Sequence, residues 1–360
     1  MRIYSLLRTH CSRLLAAAVL PLVSGCANVS YYWQSVSGQM DLWRRERPIE
    51  EVIADPASPQ ALKDRLARVL EIRAFASREL GLPDNASYRR YADLGRPFVV
   101  WNVFAAPEFS VQPLSSCFPF AGCVSYRGFF ARSDAERHAV ALAKEGHDIY
   151  IGGVPAYSTL GWFADPVLST FIHYPEAEIA RLIFHELAHQ VAYVRDDTAF
   201  NESFAVAVEQ EGVRRWLARN GDAAQREQFE RGRRIRVEFT GLIQKHRARL
   251  DALYRTRLAP DAMRDRKRRI LAELEPEYRS LKAEWGGFVG YDSWFAGTLN
   301  NARLASVTVY SQWLAAFEAL LARESTDLAR FYAAVKELAA LPREEREVKL
   351  RALITRKAGI

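Results

Sequence analysis

Apolar residues recur with helical spacing through much of this chain, and two such stretches follow one another closely in its middle. From Ala177 to Tyr193 the positions Ile179, Leu182, Ile183 and Leu187 mark one helical face, and Pro175 with Glu176 and Glu178 suits a helix start. After a polar break at Arg195, Asp196, Asp197 and Thr198, a second helix reads from Thr198 to Trp216, with Phe204, Val208 and Trp216 among its apolar positions. Elsewhere, Pro59 to Leu80 reads as an amphipathic helix stopped by Gly81, and Ser133-Asp134-Ala135-Glu136 reads as a capping box opening a helix to about Glu145. Ala223 to Arg257 and Asp261 to Trp285 form a long helical hairpin broken near Pro260, and helices resume from Asn301. Pro97 to Phe104, Cys123 to Phe130 and the alternating Asp148 to Gly153 read as strands. The expected fold is α+β and mainly helical, a small mixed sheet followed by helices, without internal repeats.

The central helix carries His185-Glu186-Leu187-Ala188-His189. Histidines four apart lie one above the other on a helix, so both imidazoles can converge on one cation. Glu186 projects about a residue round from them, where it can reach a water on that metal without binding the metal itself. Two helices joined by a tight loop can pack antiparallel, which would bring Glu202 of Asn201-Glu202-Ser203-Phe204-Ala205 opposite the histidine pair as a third ligand. The expected cofactor is Zn2+ held by His185, His189 and Glu202, with Glu186 as general base and then general acid. Glu209, seven residues beyond Glu202 on the same face, is a possible substitute ligand or a carboxylate supporting one.

These paired motifs resemble the gluzincin metallopeptidases, and Asn201-Glu202-Ser203-Phe204-Ala205 is one residue away from the Asn-Glu-Gly-Phe-Ala of aminopeptidase N-like enzymes. Over most of its length the chain is more similar to a bacterial lipoprotein family catalogued as aminopeptidases. The shared features are the lipoprotein start, Gly152-Gly153-Val154-Pro155-Ala156-Tyr157-Ser158 before the histidine helix, and Asn300-Asn301-Ala302-Arg303 after it. The resemblance implies a zincin-like core in which an edge strand ending at Gly152-Gly153 binds peptide by strand addition. The alternative there is an ordinary turn using Gly and Pro. Two departures stand out. The segment from His189 to Glu202 is shorter than in aminopeptidase N-like enzymes, and Gly153-Val154-Pro155-Ala156 lacks the carboxylate that binds a free amino terminus there. That segment therefore gives no support to exopeptidase specificity.

The N-terminus points to a compartment. Arg2, Arg8 and Arg13 precede an apolar stretch from Leu14 to Val23 that is too short to span a bilayer, so it reads as a signal peptide over residues 1–25. Val23-Ser24-Gly25-Cys26 resembles a bacterial lipoprotein processing box with Cys26 lipidated, the alternative being an ordinary signal with an incidental Cys. By family analogy, Ala27 after that Cys favours the outer membrane, with the protein facing the periplasm. Cys117 and Cys123 are then an even pair in an oxidising compartment, and a disulfide closing so short a loop is worth roughly 2 to 2.5 kcal/mol. Residues 26–58 read as a lipidated tether whose Tyr31, Tyr32, Trp33 and Trp43 suit a membrane interface or could pack onto the body. Residues 59–220 read as the metallopeptidase core and 221–360 as a helical C-terminal region.

Composition narrows the partners. The 360 residues are 49% hydrophobic, enough for a substantial core. The formal charge is +7, but three arginines leave with the signal, so the mature chain is nearer +4. Basic residues between Arg226 and Lys282 interleave with Glu and Asp, as on an ion-paired helical surface, and nucleic acid is not an expected partner. The reading is a membrane-anchored zinc peptidase acting on peptides or proteins, held to the membrane by an N-terminal lipid. The competing reading is a zincin-fold lipoprotein that serves as a binding or assembly factor, for which an intact Glu186 has no use. For the oxyanion donor the candidates are Tyr310 and Arg303, seven apart on one helix, and Tyr291 in the Gly-rich segment Gly286–Asp292.

Overall fold

A computed structural model describes residues 31–118, 122–308 and 312–357. In chain order the helices are α1 (31–45), α2 (Ile49–Ala54), α3 (Gln60–Leu80), α4 (Arg132–Lys144), α5 (Glu176–His189), α6 (Thr198–Asn220), α7 (Ala223–Tyr254) and α8 (Pro260–Glu284). They continue with α9 (Asp292–Phe295), α10 (Asn301–Thr308), α11 (Leu314–Arg323), α12 (Leu328–Ala339) and α13 (Arg343–Lys357). The strands are β1 (Glu46–Pro48), β2 (Arg90–Ala92), β3 (Val100–Pro107), β4 (Ser116–Phe118), β5 (Gly122–Val124), β6 (Arg127–Phe129), β7 (His147–Val154) and β8 (Val167–Leu168). The protein is α+β and mainly helical, as its periodicity predicts. Instead of one mixed sheet, however, the described residues form a β1-β2-β8 sheet, an antiparallel β6-β3-β7 sheet and a β4-β5 ribbon.

The helix boundaries show where local signals were overridden. Gly81 adopts the left-handed conformation (φ 65°) and ends α3 where the sequence predicts. α5 stops at His189, four residues short of Tyr193. The cause is Asn201, whose side chain bonds both the N–H (2.7 Å) and the C=O (2.8 Å) of Val194 and so commits the linker to a turn. Ser133 caps nothing: α4 begins at Arg132, and Glu136 pairs with Arg132 (2.8 Å) instead of reaching back.

Packing redraws the expected domains. Residues 31–58 are no free tether, because Leu42, Ile49 and Val52 are buried in the main core. That core joins α2, α3, β2, β8, α5 and α6 to α11, α12 and α13 from the far end of the chain. Phe200 and Phe204 of α6 meet Phe317, with centroids at 5.1 and 5.9 Å, and Phe204 also meets Phe331. α7 to α10 build a second core around Ile243, Leu250 and Leu274, and a smaller cluster of Val103, Phe129, Ala135 and Ala139 lies between the β6-β3-β7 sheet and α4. A boundary at residue 220 thus divides the C-terminal helices from the core they complete. The second core is tied to the β3-β7 sheet by Asn301, which donates to Glu108 O (2.9 Å) and accepts from Tyr254 (2.9 Å). Lys267 Nζ bonds Asp148 (2.6 Å) beside it.

Candidate metal centre

α5 and α6 run antiparallel, since Trp216 bonds Glu176 near one end while His185 faces Glu202 near the other. Gly212 permits the close approach, because a Cβ there would lie 2.7 Å from the Phe184 ring and 2.8 Å from Leu80. Asp197 caps α6 by accepting from Phe200 N (3.1 Å) and is also paired with the buried Arg346 of α13 (2.8 Å). The helix carrying Glu202 is therefore fixed at its first turn by the C-terminal region.

His185, His189 and Glu202 come together as the sequence predicts. His185 Nε2 lies 3.2 Å from Glu202 Oε2 and His189 Nε2 lies 3.8 Å from Glu202 Oε1. One donor atom from each lies within 4.8 Å of the other two. Two imidazole nitrogens and a carboxylate oxygen at this spacing fit a hydrolytic zinc site. Glu209 is placed differently from Glu202. Its Oε2 is 2.9 Å from His185 Nδ1 and 3.1 Å from Arg181, whose Nε bonds Glu178 (2.7 Å). With Nδ1 engaged by Glu209, the ring presents Nε2 to the centre, which makes Glu209 a support for a ligand and not a ligand.

The electrostatics follow from burial and these pairs. Burial opposes a charge on His185, but hydrogen bonds to Glu202 and Glu209 outweigh it and raise its pKa well above 6.5. Burial pushes His189 down to about 4. Burial also pushes Glu186 up to about 7, helped by the charge of Glu202 and opposed by that of His185. Glu202 and Glu209 are held below the ordinary value despite burial, by His189 and His185 for the first and by Arg181 and His185 for the second.

Of the predicted oxyanion donors, Arg303 and Tyr291 make contacts of their own. Tyr310 and the lipid-site Cys26 lie outside the described residues. Arg303 donates to Trp294 O (2.8 Å) and stacks over Tyr150, and Tyr291 stacks on Phe239 at 3.7 Å. Asn300-Asn301-Ala302-Arg303 works as a clamp: Asn300 bonds Ile149 O (2.9 Å), and Ala302 is buried beside Phe104 and Ala106. Sequence reasoning missed two tyrosines. Burial and the charges of Glu202 and Glu186 raise the phenol of Tyr126. Tyr88 is 2% exposed, its phenol is raised by burial and by Glu186, and its hydroxyl has no partner among the described residues. Its backbone is left-handed (φ 62°), which nothing in the sequence signals at a tyrosine. The loop holding it is pinned by buried Arg73, which bonds Ser87 O (2.9 Å) and Pro83 O (2.7 Å).

Among the described residues β7 is an edge strand, paired with β3. Its glycines have a packing reason, since a Cβ on Gly153 would lie 2.3 Å from the Phe98 ring and one on Gly152 3.2 Å from Tyr150. Cys117 and Cys123 face each other across the β4-β5 ribbon and are joined by a disulfide.

Searches among curated proteins and solved structures find no match. A family model described as putative aminopeptidase matches residues 30–350, a span that includes every described element of the centre. The chain belongs to that putative aminopeptidase family.

Proposed function

We propose that this protein is a zinc-dependent peptidase with a zincin-like core, anchored by a lipid on Cys26 to the outer membrane and facing the periplasm. Family membership supports a peptidase-type activity. The observation that carries the zinc reading is the convergence of His185, His189 and Glu202, with Glu186 next to His185 on the same helix.

His185, His189 and Glu202 would hold the ion, and Glu209 would fix His185 with Nε2 inward. Zinc supplies Lewis acidity that polarises a carbonyl and brings water within reach of deprotonation near neutral pH. Glu186 accepts the proton of the attacking water at its carboxylate and returns it to the leaving amine. A carboxyl poised near 7 suits both halves of that transfer. To Tyr126, whose phenol senses both Glu202 and Glu186, we assign the hydrogen bond to the developing oxyanion. A peptide would lie along the open edge of β7 near Ile151 and Gly153.

Metal analysis of the purified protein together with digestion of a peptide library tests the proposal, using Glu186→Gln as control. The parent should carry zinc and cleave, while Glu186→Gln should carry zinc and lose at least about 10²-fold in kcat/KM. Equal cleavage by the two proteins would remove Glu186 from the mechanism, and a metal-free parent that still cleaves would remove the metal.

A further inference from the structure

Helix α1 is apolar on both of its faces. Its outward face carries Trp33 (73% exposed), Val36 (54%), Met40 (42%) and Trp43 (42%), which helical spacing aligns in one stripe. Its inward face seats Leu42 in the main core and Tyr31 against Phe118 and Phe129, and between them Gln34 accepts from Phe130 N (3.1 Å) and Gln39 accepts from the Tyr157 hydroxyl. A helix packed only on its own protein has a polar outward face. The stripe continues onto a second element. Phe163 (50% exposed) meets Trp43 edge-on at 5.0 Å, and Trp162 beside it is 68% exposed.

We propose that this patch, α1 together with the 159–163 loop, is a docking surface for a lipid bilayer, on which the body of the protein lies. Three observations favour a bilayer over a protein partner. The exposed apolar residues are mainly Trp and Phe, with Tyr32 (43% exposed) beside them, side chains whose mixed character suits the boundary between headgroups and acyl chains. Arg44 and Arg45 are exposed at the C-terminal end of the same helix and Arg47 in β1 just beyond it, Arg45 paired with Asp41 (3.0 Å) and Arg47 with Asp55 (3.0 Å), and anionic headgroups would meet this basic cluster. The third observation is position: Cys26 is five residues before Tyr31, so even a fully extended connection spans at most about 18 Å. Acyl chains on Cys26 would thus enter the bilayer next to this face. No helix among the described residues is long and apolar enough to cross a membrane, so the surface lies on the bilayer.

Docking here would also set the orientation of the centre. The 159–163 loop is tied to Asp165, whose side chain accepts from Thr159 Oγ1 (2.8 Å) and whose C=O accepts from Tyr88 N (2.6 Å). The bilayer contact and Tyr88 are therefore joined along one hydrogen-bonded segment.

The proposal rests on the anchoring part of the functional reading only for the third observation, and the test separates the two. Full-length protein is bound to vesicles of phosphatidylethanolamine and phosphatidylglycerol with a polarity-sensitive fluorophore on Trp33→Cys, Trp162→Cys or, outside the patch, Val348→Cys. Nitroxide lipids should quench the probes at 33 and 162 and leave the probe at 348 unaffected. In the Cys26→Ser background, vesicle binding should weaken, and replacing Trp33, Trp43, Trp162 and Phe163 together by Ala should weaken the remainder by at least about tenfold. If only the anchor reading is wrong, Cys26→Ser binds like the parent while both patch probes stay quenched. Unquenched probes at 33 and 162 on vesicle-bound parent would overturn the docking surface. So would shielding of those probes that grows with protein concentration and needs no vesicles, since a second copy would then be the occupant.

Discussion

Glu209 Oε2 stands 2.9 Å from Nδ1 of His185, so the imidazole is held from the side opposite the metal centre. The consequence can be measured by competition with a chelator. Glu202→Ala removes a ligand and should weaken zinc binding by more than about 100-fold, whereas Glu209→Ala removes only the support and should cost roughly 10- to 100-fold. Glu209→Gln should lie nearer the parent, because its side-chain oxygen can still accept from Nδ1. The reverse ranking of Glu202 and Glu209 would exchange their roles.

Without metal, the same geometry makes stability depend on pH. His185 has a folded-state pKa well above 6.5 because its hydrogen bonds to Glu202 and Glu209 overcome burial, and burial holds Glu186 up at about 7. Both groups keep protons that the unfolded chain has released. The stability His185 contributes is thus complete below pH 6.5 and is lost as pH rises through its folded value, while Glu186 changes in the same sense from 4.5 to about 7. The melting temperature of chelator-stripped protein should therefore fall from about pH 6.5 to 8. Zinc uptake at pH 7 should release at least about one proton, read from the buffer dependence of the binding heat. A stripped protein whose melting temperature is flat over that range would contradict the charged His185.

How much of this was visible in the sequence varies by element. The two centre helices and the convergence of His185, His189 and Glu202 were legible because the signal is local: histidines four apart, and a Glu in a recognisable motif one helix later. Gly81 stopped α3 for the same reason, a left-handed position that favours Gly. Long-range partners were not legible. Nothing near Asp197 announces that Arg346 will reach it from α13, and nothing near Val194 announces that Asn201 will end α5 early. The split sheets and the return of α11–α13 to the main core are likewise decided by tertiary packing. Tyr126 and Tyr88 carry no motif, and only the fold exposes their phenols to the charge of Glu186.

The Arg346–Asp197 pair gives a test of that long-range coupling. Both side chains are at most 5% exposed, and Arg346 also donates to Leu341 O (2.8 Å). Arg346→Ala leaves a buried carboxylate without its cation and should destabilise the fold by roughly 3 to 5 kcal/mol, measured by urea unfolding. Adding Asp197→Ala to that variant should recover part of the loss, as expected when the penalty comes from the abandoned charge. If the two losses simply add, the pair is not coupled.

The two tyrosines near Glu186 should separate chemistry from stability. The phenol of Tyr126 feels the charges of both Glu202 and Glu186, and the proposed mechanism assigns it the oxyanion. Tyr126→Phe removes one donor without emptying the space the ring fills, and should lower kcat by about 10²- to 10³-fold. Zinc affinity should not change, since the hydroxyl is not a ligand. Tyr88 differs because its buried hydroxyl has no partner among the described residues, a condition that costs about 1 to 3 kcal/mol. Tyr88→Phe should therefore raise the unfolding free energy while affecting kcat less than Tyr126→Phe does. Paired measurements of kcat, zinc affinity and urea stability on the two variants decide the assignment. Should Tyr88→Phe show the larger loss of kcat, the oxyanion donor is Tyr88, and its left-handed backbone and unpaired hydroxyl would be the strain that holds it ready.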